Sequence, residues 1–262
     1  MKLRLIWLLL GACVTADAVQ VAPVTIAEGF VTFATSNYFP LLEVTLASVH
    51  EFSTRPIVAY GVNADIPFSC ERFPRLIKRR IDIDLSRMNI FVLKPWIMLD
   101  SKINYGIYIE ADDIVNAQVD ELFDFAHMVK DYPLCPYHPQ QPDNQQSIMR
   151  LLGVSYKSMP YVHAHVIFSQ SCRSFIQEWY QACLEHINKA CCYDETILNV
   201  LLWKYGATRY VPLYDAYYMR VNEFFEGKHL ENPYEFCMIH GCKNPLEAHQ
   251  IFYQLKQFNA SK

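Results

Sequence analysis

Short apolar segments rich in β-branched residues alternate along the chain with segments whose apolar residues recur at helical spacing. The predicted strands cover 29–35, 56–62, 106–115, 132–138, 164–169 and 209–214. The predicted helices cover 41–52, 91–101, 144–154, 172–187 and 194–206. A basic stretch at 72–80 (RFPRLIKRR) is interpreted as the solvated face of a helix. This alternation favours an α/β fold, in which a mainly parallel sheet is flanked by helices.

The length, hydrophobic fraction and net charge of the chain limit its domain number and its partners. The chain has 262 residues, of which 52% are hydrophobic, so one sizeable core is expected. The formal net charge is −4 and no basic stripe argues for nucleic acid binding, so nucleic acid is not an expected partner. We therefore predict one domain over residues 19–262.

The N-terminal 18 residues have the pattern of a cleaved signal peptide. Lys2 and Arg4 precede an apolar run, and Ala16 and Ala18 frame a small-residue cleavage site. The run is about half the length that a membrane span needs. A short signal-anchor, which would attach the protein to a membrane, and a bacterial lipoprotein site at Cys13 are the alternatives. The main prediction is a secretory-pathway lumen (ER or Golgi) or secretion, and the eight cysteines left after cleavage allow either disulfides or buried free thiols.

Three acids end the most apolar predicted strand, in the sequence GIYIEADDIV at 106–115. Adjacent carboxylates repel one another unless a cation or a proton intervenes. Oxygen-rich clusters suit Mg²⁺ or Mn²⁺, which keep open positions for phosphate oxygens. Glu110 and Asp112 share a face on an ideal strand, whereas Asp113 points away or caps the next segment. A solvated acidic turn is the alternative for these three residues taken alone.

Four segments in order resemble GT-A glycosyltransferases, most closely glycosyltransferase family 8. They are the opening strand and turn of VTFATSNYFPLLEVTLASV, the acidic YGIYIEADDIVN, the pair VHAHVIFSQSCRSFIQEW and DETILNVLL, and the terminal IHGCKNP. The first metal-motif acid is Glu110 instead of Asp, Asp113 stands where the family has Thr, and His165 stands where a small residue is common. The terminal segment is shorter than the family's and lacks its Trp.

The resemblance implies a set of site residues. Mn²⁺ or Mg²⁺ would be held by Glu110, Asp112 and His240, and Asp194 would lie near the donor sugar as a catalytic residue. The remaining candidates would bind the nucleotide sugar; these are Thr35, Asn37, Tyr38, Lys94, Asp113 and Lys243. Asp194 is also a good helix N-cap, and Lys94 and Tyr38 are also compatible with ordinary surface or core positions.

The function implied is transfer of a sugar from a nucleotide-diphosphate sugar, with a UDP-sugar as the expected donor, to an acceptor hydroxyl on a glycan, a protein or a small molecule. The resemblance also implies retention of anomeric configuration. A catalytically inactive GT-A-like protein that binds nucleotide or glycan is the alternative. A metal-dependent phosphoryl-transfer hydrolase is a third reading, but the sequence has no Gly-rich phosphate loop of the kind it requires.

Overall fold

The computed structural model describes residues 25–138, 144–190, 192–206, 218–228 and 236–261. Its strands are β1 Ile26–Thr35, β2 Ile57–Val62, β3 Leu76–Ile81, β4 Ile103–Tyr108, β5 Ile114–Val115, β6 Ile167–Ser169, β7 Tyr218–Arg220 and β8 Met238–His240. Its helices are α1 Phe39–Phe52, α2 Leu93–Asp100, α3 Leu122–Met128, α4 Gln145–Leu151, α5 Arg173–His186, α6 Asp194–Tyr205, α7 Val221–Phe225 and α8 Pro245–Ala260. The strand predicted at 209–214 and the N-terminal 18 residues lie outside the described residues.

A five-stranded sheet forms the centre of the molecule, with strand order β3-β2-β1-β4-β6. The first four strands are parallel, and β6 pairs with β4 in the antiparallel sense. All six residues of β2 are buried, as expected for a strand covered on both faces. The predicted α/β fold with a mainly parallel sheet is therefore confirmed.

The prediction that the basic stretch at 72–80 is a solvated helix face is wrong, because residues Leu76–Ile81 form the edge strand β3. Only the two ends of this strand are buried, so neither helical nor strand periodicity is visible in its sequence. Charged side chains on an edge strand are a common protection against pairing with another chain. Arg79 and Arg80 contact acids beside the strand, namely Asp100, Asp65 and Asp82.

Three other predicted strands are shorter than expected. The strand predicted at 164–169 is reduced to β6, Ile167–Ser169, and residues 132–138 contain isolated bridges such as Leu134 with Ile167 and Tyr137 with Val162. In the segment predicted at 106–115, β4 ends at Tyr108, and Glu110 to Asp113 form a turn before β5. The acids therefore occupy a turn and not a strand, so alternation along a strand does not decide which of them face each other.

The antiparallel direction of β6 brings the functional candidates together. The residues that follow β4 and those that precede β6 lie at the same edge of the sheet, and Tyr108 N donates to Val166 O (2.8 Å). β1 ends at this edge too, because it is parallel to β4. A second sheet, β5-β8-β7, carries the terminal segment to the same region through the pairing of Ile114 with Ile239.

The described helices include none that combines the length and the apolar character needed to cross a bilayer. Seven cysteines lie in the described residues. Cys70 is an exposed free thiol, Cys172, Cys183, Cys237 and Cys242 are buried free thiols, and Cys135 and Cys192 are buried as well. For the four buried free thiols the structure corresponds to the buried-thiol alternative.

Candidate functional site

The buried ammonium of Lys94 joins two of the predicted site acids. α2 presents Lys94 so that its Nζ lies 2.6 Å from Glu110 Oε1 and 3.2 Å from Asp194 Oδ2. The Tyr108 hydroxyl donates to the other oxygen of Glu110 (2.8 Å). Both oxygens of Glu110 are therefore engaged within the protein, and Lys94 is not a free surface cation.

The ion pair sets the pKa values of its two carboxyl groups differently. Burial alone would raise the pKa of Glu110, but the charge and hydrogen bond of Lys94, together with the charge of His165, outweigh it and the pKa is lowered. Asp194 is the first residue of α6 and is almost completely buried. Burial raises its pKa to about 6 despite the opposing effect of Lys94, because Glu110 and Glu195 add negative charge nearby.

Asp113 lies at the centre of the turn and is fully buried. It accepts hydrogen bonds from the Glu110 backbone N–H (2.6 Å), from His165 Nε2 (3.0 Å) and from His240 Nδ1 (2.8 Å). Burial would raise the pKa of Asp113, but His165 and His240 outweigh it and hold the pKa far below the usual range. Asp113 therefore stays ionised, and its carboxylate faces two imidazoles and not an open nucleotide pocket.

Asp112 and His240 are the more accessible of the residues around Asp113. The Oδ1 atom of Asp112 lies 3.9 Å from the Nδ1 atom of His240. Burial raises the pKa of Asp112 to about 6, because Asp113 and Glu110 add to the effect and outweigh His240. Burial would lower the pKa of His240, but its hydrogen bond to Asp113 and the charge of Asp112 raise it to about 9. At neutral pH the His240 ring is a cation among carboxylates.

These residues fit a divalent cation. Metal–ligand bonds of about 2.0–2.2 Å place neighbouring ligand atoms roughly 3 Å apart. Asp113, His165 and His240 offer ligand atoms that lie within 4.8 Å of one another, and Asp112 adds a further oxygen beside His240. His165 Nδ1 is buried without a hydrogen-bond partner in the described part of the chain. Five acids lie around the cations Lys94 and His240; they are Glu110, Asp112, Asp113, Asp194 and Glu195.

The candidate nucleotide residues lie at the rim of the same edge. Thr35 ends β1, and Asn37 and Tyr38 follow in an exposed 3-10 turn, with Tyr38 51% exposed. Lys243 is exposed after β8 and borders, with His240, an open cleft. The structure thus brings the metal candidates and Lys94 together, and leaves Thr35, Asn37, Tyr38 and Lys243 as accessible positions around them.

Several residues of the site are not identified by the sequence motifs. His163 and His165 precede β6, Glu195 follows Asp194, and the Tyr218 ring lies against both histidines, with ring centres 4.4 Å and 4.8 Å away. The HAH sequence places two histidines on one side of an extended segment, which is the signal that could have identified them. Tyr218 has no comparable signal, because its neighbours in the site are distant in sequence.

No protein-family model matches the chain, and the curated proteins include no significant match. Among solved structures, galactosyltransferase LgtC in complex with donor and acceptor sugar analogues has a TM-score of 0.59 at 15% identity, covering 87% of this chain and 94% of that one. The bifunctional glycosyltransferase WbbM in its apo form has a TM-score of 0.58 at 13% identity, covering 83% of this chain and 46% of that one.

The apo form of glycosyltransferase GlyE from Streptococcus pneumoniae TIGR4 has a TM-score of 0.53 at 13% identity. The match covers 87% of this chain and 60% of GlyE, so this chain spans about half of WbbM and three fifths of GlyE. The likeness to LgtC, in contrast, extends over nearly the whole of both chains. The protein has the fold of the GT-A glycosyltransferases.

Proposed function

We propose that the protein is a metal-dependent glycosyltransferase that moves a sugar from a UDP-sugar to an acceptor hydroxyl with retention of anomeric configuration. The observation that carries the proposal is the group formed by Asp112, Asp113 and His240 at the carboxyl edge of a glycosyltransferase-fold sheet. This group has an excess of carboxylates over cations. A donor diphosphate reaches such a site together with a divalent ion.

Mn²⁺ or Mg²⁺ would be held by Asp112, Asp113 and His240, with His165 behind them. Glu110 remains a predicted ligand, and it would bind through a lone pair left by its Lys94 and Tyr108 contacts. When bound, the ion supplies positive charge that stabilises the diphosphate leaving group. The carboxylates of Asp112 and Asp113 orient His240, which the structure holds within 2.8 Å of Asp113.

The other predicted site residues would bind the nucleotide, the diphosphate and the donor sugar. Tyr38 is placed at the rim to stack on the nucleotide base, with Thr35 and Asn37 as hydrogen-bonding neighbours. Lys243 adds a mobile positive charge beside the diphosphate. Asp194, paired with Lys94 at the start of α6, would lie near the donor sugar and would stabilise positive charge that develops at the anomeric carbon as the acceptor hydroxyl attacks.

A nucleotide- or glycan-binding protein without turnover is the second candidate, and one observation favours it. Lys94 is committed to both Glu110 and Asp194, so two acids that an active transferase uses are already neutralised within the protein. Binding and turnover must therefore be measured separately.

Binding is tested by isothermal titration of UDP with and without Mn²⁺. We expect UDP affinity to be at least tenfold higher with Mn²⁺, and Asp112→Asn to remove this difference. The control Asp131→Asn changes an exposed acid outside the site and should bind like the wild type. Equal UDP affinity with and without Mn²⁺ in the wild type would contradict metal-dependent nucleotide binding.

We also propose that the protein works in the lumen of the secretory pathway, where imported nucleotide sugars are available. The support is the signal-peptide pattern of the first 18 residues. Protease protection of the protein in intact microsomes, together with loss of about 18 residues from its mass, is the expected result. A full-length, protease-accessible cytosolic protein would contradict it.

A further inference from the structure

A second cluster of metal-ligating side chains lies beside Asp113, His165 and His240 and has no ligand residue in common with those three. It consists of His138, His163 and Glu195, whose ligand atoms lie within 4.8 Å of one another. His138 Nε2 is 3.9 Å from Glu195 Oε1, and His163 Nδ1 is 3.6 Å from Glu195 Oε2. The two imidazole rings are stacked, with ring centres 3.8 Å apart. Neither the sequence motifs nor the proposed sugar transfer uses His138 or His163.

The backbone fixes the two histidines relative to each other. His138 N donates to Tyr161 O (2.9 Å), and His163 N donates to Pro136 O (2.9 Å). These bonds flank the bridge between Tyr137 and Val162, so the histidines lie on neighbouring antiparallel segments. The stacked arrangement is therefore set by the chain path and not by the side chains alone.

The first turn of α6 fixes Glu195 against the same segment. The Ala164 N–H donates to Glu195 Oε2 (3.1 Å). Asn199, one turn later, makes two hydrogen bonds of 2.8 Å to the backbone of Val162. All three candidate ligands are thus held before any ion arrives, which reduces the entropic cost of forming a site.

The separations between the ligand atoms point to an ion. At 3.6 Å and 3.9 Å the histidine nitrogens are too far from Glu195 for hydrogen bonds. In a tetrahedral site with bonds of about 2.0–2.1 Å, ligand atoms lie roughly 3.4 Å apart. His163 is only 7% exposed, and its Nε2 has no hydrogen-bond partner among the described residues. Within the described residues, the buried His163 ring therefore directs Nδ1 toward Glu195 and leaves its other nitrogen unsatisfied.

We propose that His138, His163 and Glu195 form a second cation site, which binds a metal of the Zn²⁺ class. Two imidazoles and one carboxylate are a donor set typical of zinc, and imidazole favours zinc over Mg²⁺ and Mn²⁺. Three protein ligands leave the fourth tetrahedral position to water. The first site is richer in carboxylate oxygens, so the two sites differ in the metals that they prefer.

The test is Zn²⁺ stoichiometry and affinity in the full chain, measured by isothermal titration, with Co²⁺ absorption as a report of ligand type. All proteins carry Cys70→Ser, because Cys70 is the exposed thiol of the described residues and would bind zinc by itself. His138→Asn and Glu195→Gln each remove one ligand of the second site, and His240→Asn serves as the matched variant in the first. Circular dichroism checks that each variant is folded.

We expect His138→Asn and Glu195→Gln each to weaken one zinc-binding event at least tenfold, since even the loss of an outer hydrogen bond to a ligand costs about 10–100-fold. His240→Asn should keep this event. Bound Co²⁺ should show tetrahedral bands without thiolate charge transfer. The proposal is overturned if the wild type binds no Zn²⁺, if His138→Asn binds it like the wild type, or if His240→Asn abolishes all zinc binding. Because Zn²⁺ binding requires no nucleotide, these results are independent of the proposed sugar transfer.

Discussion

Replacing Lys94 by methionine should be strongly destabilising. The substitution keeps an apolar stem of similar length but removes the ammonium between Glu110 and Asp194. The side chain of Asp194 is 4% exposed and that of Glu110 is 25% exposed, so water replaces little of the lost interaction. Breaking a buried ion pair on one side costs about 3–5 kcal/mol. With a urea m-value of about 3 kcal/mol/M, the unfolding midpoint should fall by about 1 M or more.

The pH dependence identifies the cause of this loss. Without Lys94, burial raises the folded-state pKa of both carboxyl groups above their unfolded values of about 4. Protonation then favours the folded variant, so its deficit relative to the wild type shrinks as the pH falls from 7 to about 5. Adding Glu110→Gln to Lys94→Met should recover part of the stability, because one buried charge is removed.

Urea unfolding followed by tryptophan fluorescence at pH 5 and pH 7 measures both effects. Lys256→Met is the control, because Lys256 makes an exposed ion pair with Glu51 that is expected to contribute less than about 1 kcal/mol. The reasoning is refuted if Lys94→Met loses no more stability than Lys256→Met, or if its deficit is the same at both pH values.

Three further predictions test the packing of the sheet, the ion pair between His240 and Asp113, and the role of Asp112 as a metal ligand. Gly106→Ala places a methyl group 2.1 Å from a ring atom of buried Phe168, so a loss of about 1–3 kcal/mol is expected in urea unfolding, and wild-type stability would contradict the packing. The pKa of His240 is about 9 in the folded protein against about 6.5 in the unfolded chain, so the wild type should lose stability as the pH rises from about 6.5 to 9. The His240→Asn variant should not show this loss. Parallel plots of unfolding free energy against pH for the two proteins would contradict the ion pair with Asp113. The His240 ring must lose its proton to bind a metal, so Mn²⁺ affinity, measured by titration, should fall about tenfold per unit below pH 9; below pH 6, where the Asp112 carboxyl also protonates, the slope should approach about a hundredfold per unit, and a slope that does not steepen below pH 6 would exclude Asp112 as a ligand.

Much of the fold was predictable because long apolar elements leave little ambiguity. The buried strand β2 is apolar along its whole length, and α6 has acids in its first turn and Gly206, with φ +85°, just after its end. β3 was not predictable, because six residues with three consecutive basic side chains carry no clear period. Its assignment depends on pairing with β2, a contact over about 20 residues of sequence.

The sequence could supply candidate site residues, whose roles stay predictions, but it could not supply their contacts. Asp112 and His240 lie 3.9 Å apart, although 128 positions separate them in numbering. The role of Lys94 was not visible, since a lysine in a helix is usually solvated and its two acidic partners come from different elements. Asp113 was the uncertain acid in the sequence. The structure gives it a defined position because β6 runs antiparallel and brings His165 to it.

The central claim is sugar transfer at this edge of the sheet, and UDP release from UDP-sugars tests it most directly. A panel of UDP-sugars is incubated with Mn²⁺ and the protein, with Asp194→Asn and Asp112→Asn as site variants and Asp131→Asn as the control. The account predicts that at least one UDP-sugar yields UDP in a Mn²⁺-dependent reaction, which both site variants reduce at least 100-fold and the control leaves unchanged. UDP binding without release from any UDP-sugar, or release that Asp194→Asn does not change, would contradict it.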